Sequence, residues 1–79
     1  MSKEVNKVYR SIESTKKRLV GKAKKKGCLW ENFGQDEVRK LKDKFGWNYR
    51  ISTDDNMEIL SAIHEFSDWC GNFNYAMIA

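Results

Sequence analysis

Apolar residues recur with a helical period in three stretches of this chain. In the first stretch they stand three, four, seven and four residues apart, a spacing that places them on one face of a helix. The members of this stripe are Val5, Val8, Ile12, Leu19 and Ala23. We predict a basic helix over residues 3–26, which Gly27 ends after three lysines that complement the negative end of the helix dipole.

The second stretch predicts a shorter helix over residues 34–45. Asn32 is the expected N-cap because Gln35 stands three residues later, as in a capping box. Gly46 follows as the expected stop. The expected apolar face comprises Phe33, Val38, Leu41 and Phe45.

The third stretch predicts a helix over residues 53–70. Ser52 and Asp55 form a second capping pattern at its start, and Gly71 is the expected stop. The expected apolar stripe comprises Ile59, Leu60, Ile63, Phe66 and Cys70.

The order of these elements predicts an all-α fold, a compact three-helix domain with an aromatic C-terminal tail. Residues 1–79 form a single domain, since a chain of this length can bury only one small core. The segment 72–79 is an apolar tail that we expect to pack back on the helices. An α+β alternative remains, in which residues 47–51 and 73–78 pair as a short two-stranded ribbon.

Charge divides the chain into two unequal parts. Residues 1–27 hold ten basic groups and two acids, a sum of +8, whereas residues 28–79 hold five basic groups and nine acids, a sum of −4. Seven of the basic groups fall within residues 16–26, where they repel one another. An anionic partner would relieve that repulsion, and phosphate backbone is the most frequent such partner.

Catalytic chemistry finds little support in the sequence. His64 is the only histidine, and no serine or cysteine stands at a spacing that would pair it with a nucleophile. Cys28 and Cys70 lack metal-ligand spacing and are expected to be reduced, partly buried thiols. We therefore expect no enzymatic activity, no metal and no cofactor. No stretch is apolar enough to cross a membrane, and we expect a cytoplasmic protein.

Nucleic-acid binding is the chemistry that these residues favour most. The basic helix can follow a phosphate backbone, and exposed aromatic rings near an arginine can stack on unpaired bases. The candidate phosphate contacts are Arg10, Lys16, Lys17, Arg18, Lys22, Lys24, Lys25 and Lys26. The candidate stacking residues are Trp47 and Tyr49, with Trp30 and Tyr75 as further rings and Arg50 as the nearby cation.

The segment from Trp30 to Phe45 reads Trp-Glu-Asn-Phe-Gly-Gln-Asp-Glu-Val-Arg-Lys-Leu-Lys-Asp-Lys-Phe, and a basic helix ending in Lys-Lys-Lys-Gly precedes it. This arrangement, residues 16–45, resembles a motif of small uncharacterised proteins of tailed bacteriophages. In size and basic character the chain also resembles the T-even-type phage inhibitors of a host endoribonuclease toxin. The resemblance implies a phage protein that acts without catalysis in the host cytoplasm, by blocking a host nuclease, toxin or defence ribonucleoprotein.

Two functional hypotheses follow. In the first, the chain is an accessory protein that binds nucleic acid, RNA in preference to DNA, through its basic N-terminal helix. In the second, it is a protein-binding inhibitor or adaptor that docks its basic face or its aromatic tail on an acidic host protein. In either case we expect a monomer rather than a homodimer, because the apolar stripe of the first helix is needed for the core.

Overall fold

The computed structural model describes residues 3–27 and 31–73. Over these residues the chain forms three α-helices and no strand: α1 (Lys3–Lys26), α2 (Gln35–Lys44) and α3 (Thr53–Asn72). The all-α three-helix prediction is confirmed. Residues 47–51 contain no strand, and residues 74–78 of the alternative ribbon lie outside the described part, as do Cys28, Trp30 and Tyr75. No bilayer-spanning helix is found in residues 3–27 and 31–73.

Helix α1 buries the predicted stripe together with one further residue. Val5, Val8, Ile12, Leu19 and Ala23 are all buried, and Thr15 fills the gap in the stripe. Thr15 can be buried because its Oγ1 donates a hydrogen bond of 2.7 Å to the Ser11 carbonyl oxygen, which satisfies the hydroxyl. Gly27 ends the helix in the left-handed region, at φ 75°, as predicted.

Helix α2 begins differently from the expectation. The prediction that Asn32 caps it is wrong, because Gly34 is the N-cap residue and makes no side-chain cap hydrogen bond. Asn32 (φ 61°) and Gly34 (φ 78°) both adopt left-handed backbone, in a turn closed by a 3.0 Å bond from the Gln35 N–H to the Asn32 carbonyl oxygen. This turn buries Phe33. The helix ends at Lys44, with Phe45 as its C-cap, so it spans residues 35–44 rather than 34–45.

Helix α3 starts as predicted and continues further. The Ser52 Oγ accepts a 3.1 Å hydrogen bond from the Asp55 N–H, which confirms the cap. Gly71 does not stop the helix, because its backbone remains helical and α3 extends to Asn72. The expected stripe is wrong at Leu60, which is 41% exposed. Four of its members are buried, joined by two residues that the pattern did not include: Ile59, Ile63, Phe66 and Cys70, with Asn56 and Ala62.

Helix α3 packs against both α1 and α2, whereas α1 and α2 make few contacts with each other. The Tyr9 hydroxyl donates a 3.2 Å hydrogen bond to Glu58, and Lys16 lies over Trp69, so α1 and α3 run in the same direction. Helix α2 runs in the opposite direction, since its N-cap lies beside Leu19 and its end borders the same cleft as Glu4. The bundle is therefore up-down-up, with α3 packed against both other helices.

Aromatic rings close one end of this bundle. The Phe33 and Phe73 rings stack with centroids 5.0 Å apart, and Trp69 meets Phe73 edge-on at 4.9 Å. Phe66 also stacks on Trp69, with centroids 5.9 Å apart. Rings at these separations stabilise a fold beyond the area they bury, so the cluster fixes the turn before α2 to the end of α3.

Gly34 and Cys70 approach each other closely between these two segments. A Cβ on Gly34 would overlap the Cys70 Sγ and would lie 3.0 Å from the Cys70 Cβ. The position also has positive φ, which disfavours side chains. Glycine is therefore required here for two independent reasons.

We expect Gly34→Ala to lower the free energy of unfolding by about 2–5 kcal/mol, the sum of left-handed strain and overpacking. Gly21→Ala is the matched control, because Gly21 is helical and exposed, and apart from its chain neighbours and the nearby backbone of α1 no atom lies within 4 Å of the position that a methyl group would take there. That change should instead stabilise by about 0.5–1 kcal/mol. Urea unfolding measures both. Equal stability of the Gly34→Ala variant and the parent would contradict the close approach.

Alkaline pH should weaken the fold. Burial, and then the charge of Glu37, raise the pKa of the Cys70 thiol to about 11 from its ordinary value of 9.0. The native state thus holds this proton more tightly than the unfolded chain does. The resulting stabilisation is fully present below pH 9 and is lost as the pH rises through 11. Burial also raises the pKa of Tyr9, which acts in the same direction.

In a Cys28→Ser background, we expect the free energy of unfolding to fall between pH 9 and pH 11, and to fall less steeply after Cys70→Ala. Urea unfolding at pH 8, 9.5 and 11 measures this difference in slope. An unchanged pH dependence in the Cys70→Ala variant would show that this thiol does not couple to folding.

Candidate nucleic-acid interface

A groove of about 420 Å³ lies between α1 and α2, where the two helices make few contacts. Arginines from α1 and lysines from α2 line it, together with α1 hydroxyl groups. The cations are Arg10, Arg18, Lys40 and Lys44, and the hydroxyl residues are Ser11, Ser14 and Thr15. Glu37 is the one acid among the lining residues. We call this feature the basic groove.

The cations of the basic groove are spread along its length. Arg10 and Arg18 are eight residues apart, about 12 Å along the axis of α1. Lys40 and Lys44 are four residues apart, one turn of α2, on the facing helix. All four side chains are exposed. Repeated positive charges along two walls suit a polymer with repeated negative charges better than they suit a single small anion.

The remaining lysines predicted for the site divide by helix face. Lys22 and Lys25 follow Arg18 by four and seven residues, so they continue the groove-lining face of α1 toward its end. Lys17 follows Arg10 by seven residues and Lys24 follows Lys17 by seven, so both lie at the edge of that face, and neither lines the groove. Lys26 is the last residue of the helix and is exposed. The structure thus brings part of the predicted set together and leaves part of it elsewhere.

Lys16 faces α3 instead of the basic groove. Its Nζ lies 5.4 Å from the centroid of the Trp69 ring and 3.8 Å from Glu13 Oε1. The side chain is only 30% exposed. Lys16 therefore helps to cover the aromatic cluster through a cation–π contact, and it is the predicted phosphate contact that the structure places furthest from that role.

A second, open cleft lies where α2 leads into α3, and the predicted stacking residues line it. Trp47 is 44% exposed and Tyr49 is 92% exposed. Arg50 lines the same cleft, and Lys44 is shared with the basic groove. We call this feature the aromatic cleft. The three predicted residues of the connection are thus brought together, next to one end of the basic groove.

Asn56 holds the connection that carries these rings. It is buried, and its side chain pairs with both backbone groups of Asn48, accepting from the N–H and donating to the carbonyl oxygen, each at 2.8 Å. The same amide donates a 3.1 Å bond to the Ser52 carbonyl oxygen. The Arg50 N–H in turn donates to Asn48 Oδ1 at 2.8 Å. The backbone of the aromatic cleft is therefore tied to the first turn of α3.

Several residues of the site were not predicted from the sequence, among them the groove hydroxyls, Lys40, Lys44 and Asn56. Lys40 and Lys44 were assigned only to the end of α2, although their four-residue spacing beside core residue Leu41 placed them at the edge of the buried face. Asn56 carried no signal in the sequence pattern. An asparagine four residues after a helix cap gives no indication that its partner is loop backbone.

The groups that could serve catalysis lie apart from the groove and the cleft. His64 is on the surface, where its Nε2 lies 3.5 Å from the Asp68 Oδ2, one turn further along α3. Cys70 is a buried free thiol whose raised pKa keeps it protonated at neutral pH. Among the described residues, no three His, Cys, Asp or Glu side chains gather as a metal site requires.

Comparison of the chain with protein-family models, curated proteins and solved structures found no match. The groove and the cleft are therefore interpreted from their own chemistry. Exposed cations on two walls can hold a charged polymer, and exposed rings beside them can stack on planar groups.

We expect Asn56→Ala to lower the free energy of unfolding by about 2–4 kcal/mol, because it removes three side-chain hydrogen bonds and leaves loop backbone groups without partners. Asn6→Ala, at an exposed position of α1, should change stability by less than about 0.5 kcal/mol. Thermal or urea unfolding measures both. If Asn56→Ala lowers the free energy of unfolding no more than Asn6→Ala does, the side-chain hydrogen bonds of Asn56 contribute nothing to stability.

Proposed function

We propose that this protein is a non-enzymatic accessory protein that binds nucleic acid, RNA in preference to DNA, as a monomer. The observation that carries the proposal is the basic groove, in which four cations from two helices face one another with a single acid among them. Each cation that pairs with a phosphate releases a condensed counterion, which is the main source of affinity in non-specific binding.

The charge of α3 also supports the basic groove as the surface that contacts nucleic acid. This helix contains five acids and no lysine or arginine, so it would repel a polyanion. The acids are Asp54, Asp55, Glu58, Glu65 and Asp68. The basic groove lies between the other two helices. An approaching phosphate backbone is therefore steered toward α1 and α2 and away from α3.

Hydroxyl groups in the groove support RNA as the preferred polymer. Ser11 and Ser14 lie between the two groove arginines along α1 and line the groove with them. A serine hydroxyl can both donate and accept a hydrogen bond, and so can the ribose 2′-OH that distinguishes RNA from DNA.

The biological role follows from the resemblance of residues 16–45 to small proteins of tailed bacteriophages. We propose that the protein acts in the host cytoplasm and blocks a host nuclease, toxin or defence ribonucleoprotein by occupying RNA that the host factor needs. This role requires no catalytic group in the chain.

Fluorescence anisotropy with labelled single-stranded RNA, single-stranded DNA and duplexes of each, over about 50–200 mM salt, tests the binding. We expect affinity that falls with salt. The double variant Arg18→Gln/Lys40→Gln should weaken binding and reduce the salt slope by about 0.7 for each lost contact to a single strand. The matched control is Lys17→Gln/Lys24→Gln, which removes the same charge from exposed positions outside the groove.

Equal loss of affinity in both double variants would show that net charge, and not the groove, is responsible. Absence of binding at the lowest salt would overturn the nucleic-acid proposal. In that outcome an acidic host protein becomes the partner to seek, with the same groove as its contact surface.

A further inference from the structure

We propose that the basic groove and the aromatic cleft form one continuous path for a single strand, with phosphates in the groove and at least one unpaired base stacked in the cleft. This inference rests on the proposed function and deepens it, because it specifies single strands over duplexes. Lys44 joins the two features, since its side chain lines both.

The basic groove has an excess of cations, whereas the aromatic cleft has equal numbers of cations and acids. This difference suits a strand that places its phosphates in the groove and a base in the cleft. The groove has four cations and one acid among its lining residues. The cleft has two cations, Lys44 and Arg50, and two acids, Glu4 and Asp43. A phosphate gains less from a surface of balanced charge than from the basic groove, whereas an uncharged base is not repelled by the acids of the cleft. The cleft supplies rings for that base at Trp47 and Tyr49.

The shape of the basic surface also favours a single strand. Proteins that recognise duplex DNA generally insert a protruding helix or ribbon into the major groove. Here the cations of α1 and α2 instead face each other across a concave groove. A single strand can lie in such a groove with its bases turned toward neighbouring rings, as in other proteins that bind unpaired nucleic acid.

The exposure of Tyr49 is difficult to explain by folding alone. With 92% of its surface accessible, the residue contributes almost nothing to the core. Its backbone is nevertheless held on both sides: Asn48 pairs with Asn56, and the Arg50 N–H donates to Asn48 Oδ1. When a base stacks on such a ring, only the side chain has to be ordered, because the backbone is already fixed.

The test compares Tyr49→Ala and Trp47→Ala with the parent on an unstructured uridine-rich RNA, a thymidine-rich DNA strand and a duplex RNA of equal length. We expect each variant to lose about fivefold or more in affinity for both single strands, with little change for the duplex. The salt slope should stay constant, because neither change removes a charge. Tyr49→Phe should retain most of the affinity, since it keeps the ring.

Met57→Ala is the matched control, an exposed apolar residue at 54% that lines neither feature. It should bind like the parent. Tryptophan fluorescence gives an independent readout: stacking should quench the emission, and Trp47→Phe should remove most of that quenching. Circular dichroism establishes that each variant keeps its helices.

Loss of single-strand affinity confined to the ring variants, at constant salt slope, would support the path. Unchanged affinity in both ring variants, or a parent that binds duplex RNA as tightly as single strands, would overturn it. Either of those outcomes leaves the proposed function intact as long as Arg18→Gln/Lys40→Gln still weakens binding. If that groove variant also binds normally, the proposed function fails as well.

Discussion

The packing of α3 against both other helices is the constraint on which the rest of the structure depends. Helices α1 and α2 each direct their apolar stripe toward α3 and make few contacts with one another. Their facing flanks can therefore remain polar and exposed to water. The basic groove is the consequence: it opens along the seam between two helices that a third one holds in place, and its cations need not be desolvated for the chain to fold.

Charge and packing are arranged on different sides of the same bundle. The cations of the groove repel one another, but they are distributed over two helices and exposed to solvent, where the repulsion is screened. Two of the acids of α3 contact neighbouring side chains: Glu58 accepts a hydrogen bond from Tyr9 on α1, and Asp68 lies beside His64. The excess positive charge of residues 1–27 therefore makes the potential positive on the side of the groove and not on the side of α3.

The sequence patterns correctly predicted the features that depend on residues close to one another in the chain. The stripe of α1, its stop at Gly27 and the Ser52 cap all depend on residues within one or two turns, and the structure contains each of them. Features that depend on distant partners were missed. Asn32 failed as a cap because the chain turns to bury Phe33 and to bring Gly34 against Cys70, a contact between residues 36 apart in sequence. The same distinction applies to the candidate site. Lys40 and Lys44 line the groove because α2 runs antiparallel to α1. Lys16 does not line it, because its ammonium group lies over the Trp69 ring. Neither composition nor spacing contains that information.

Asn56 replaces, with one side chain, the hydrogen bonds that a neighbouring strand would give to Asn48. These bonds end on main-chain atoms of the loop, so they do not depend on which side chains stand at positions 47, 49 and 50. Residues of other chemistry can therefore replace those at positions 47, 49 and 50 without removing the hydrogen bonds that hold the loop backbone. If the loop binds as proposed, the side chains that would set its binding preference are separate from Asn56, which holds its backbone.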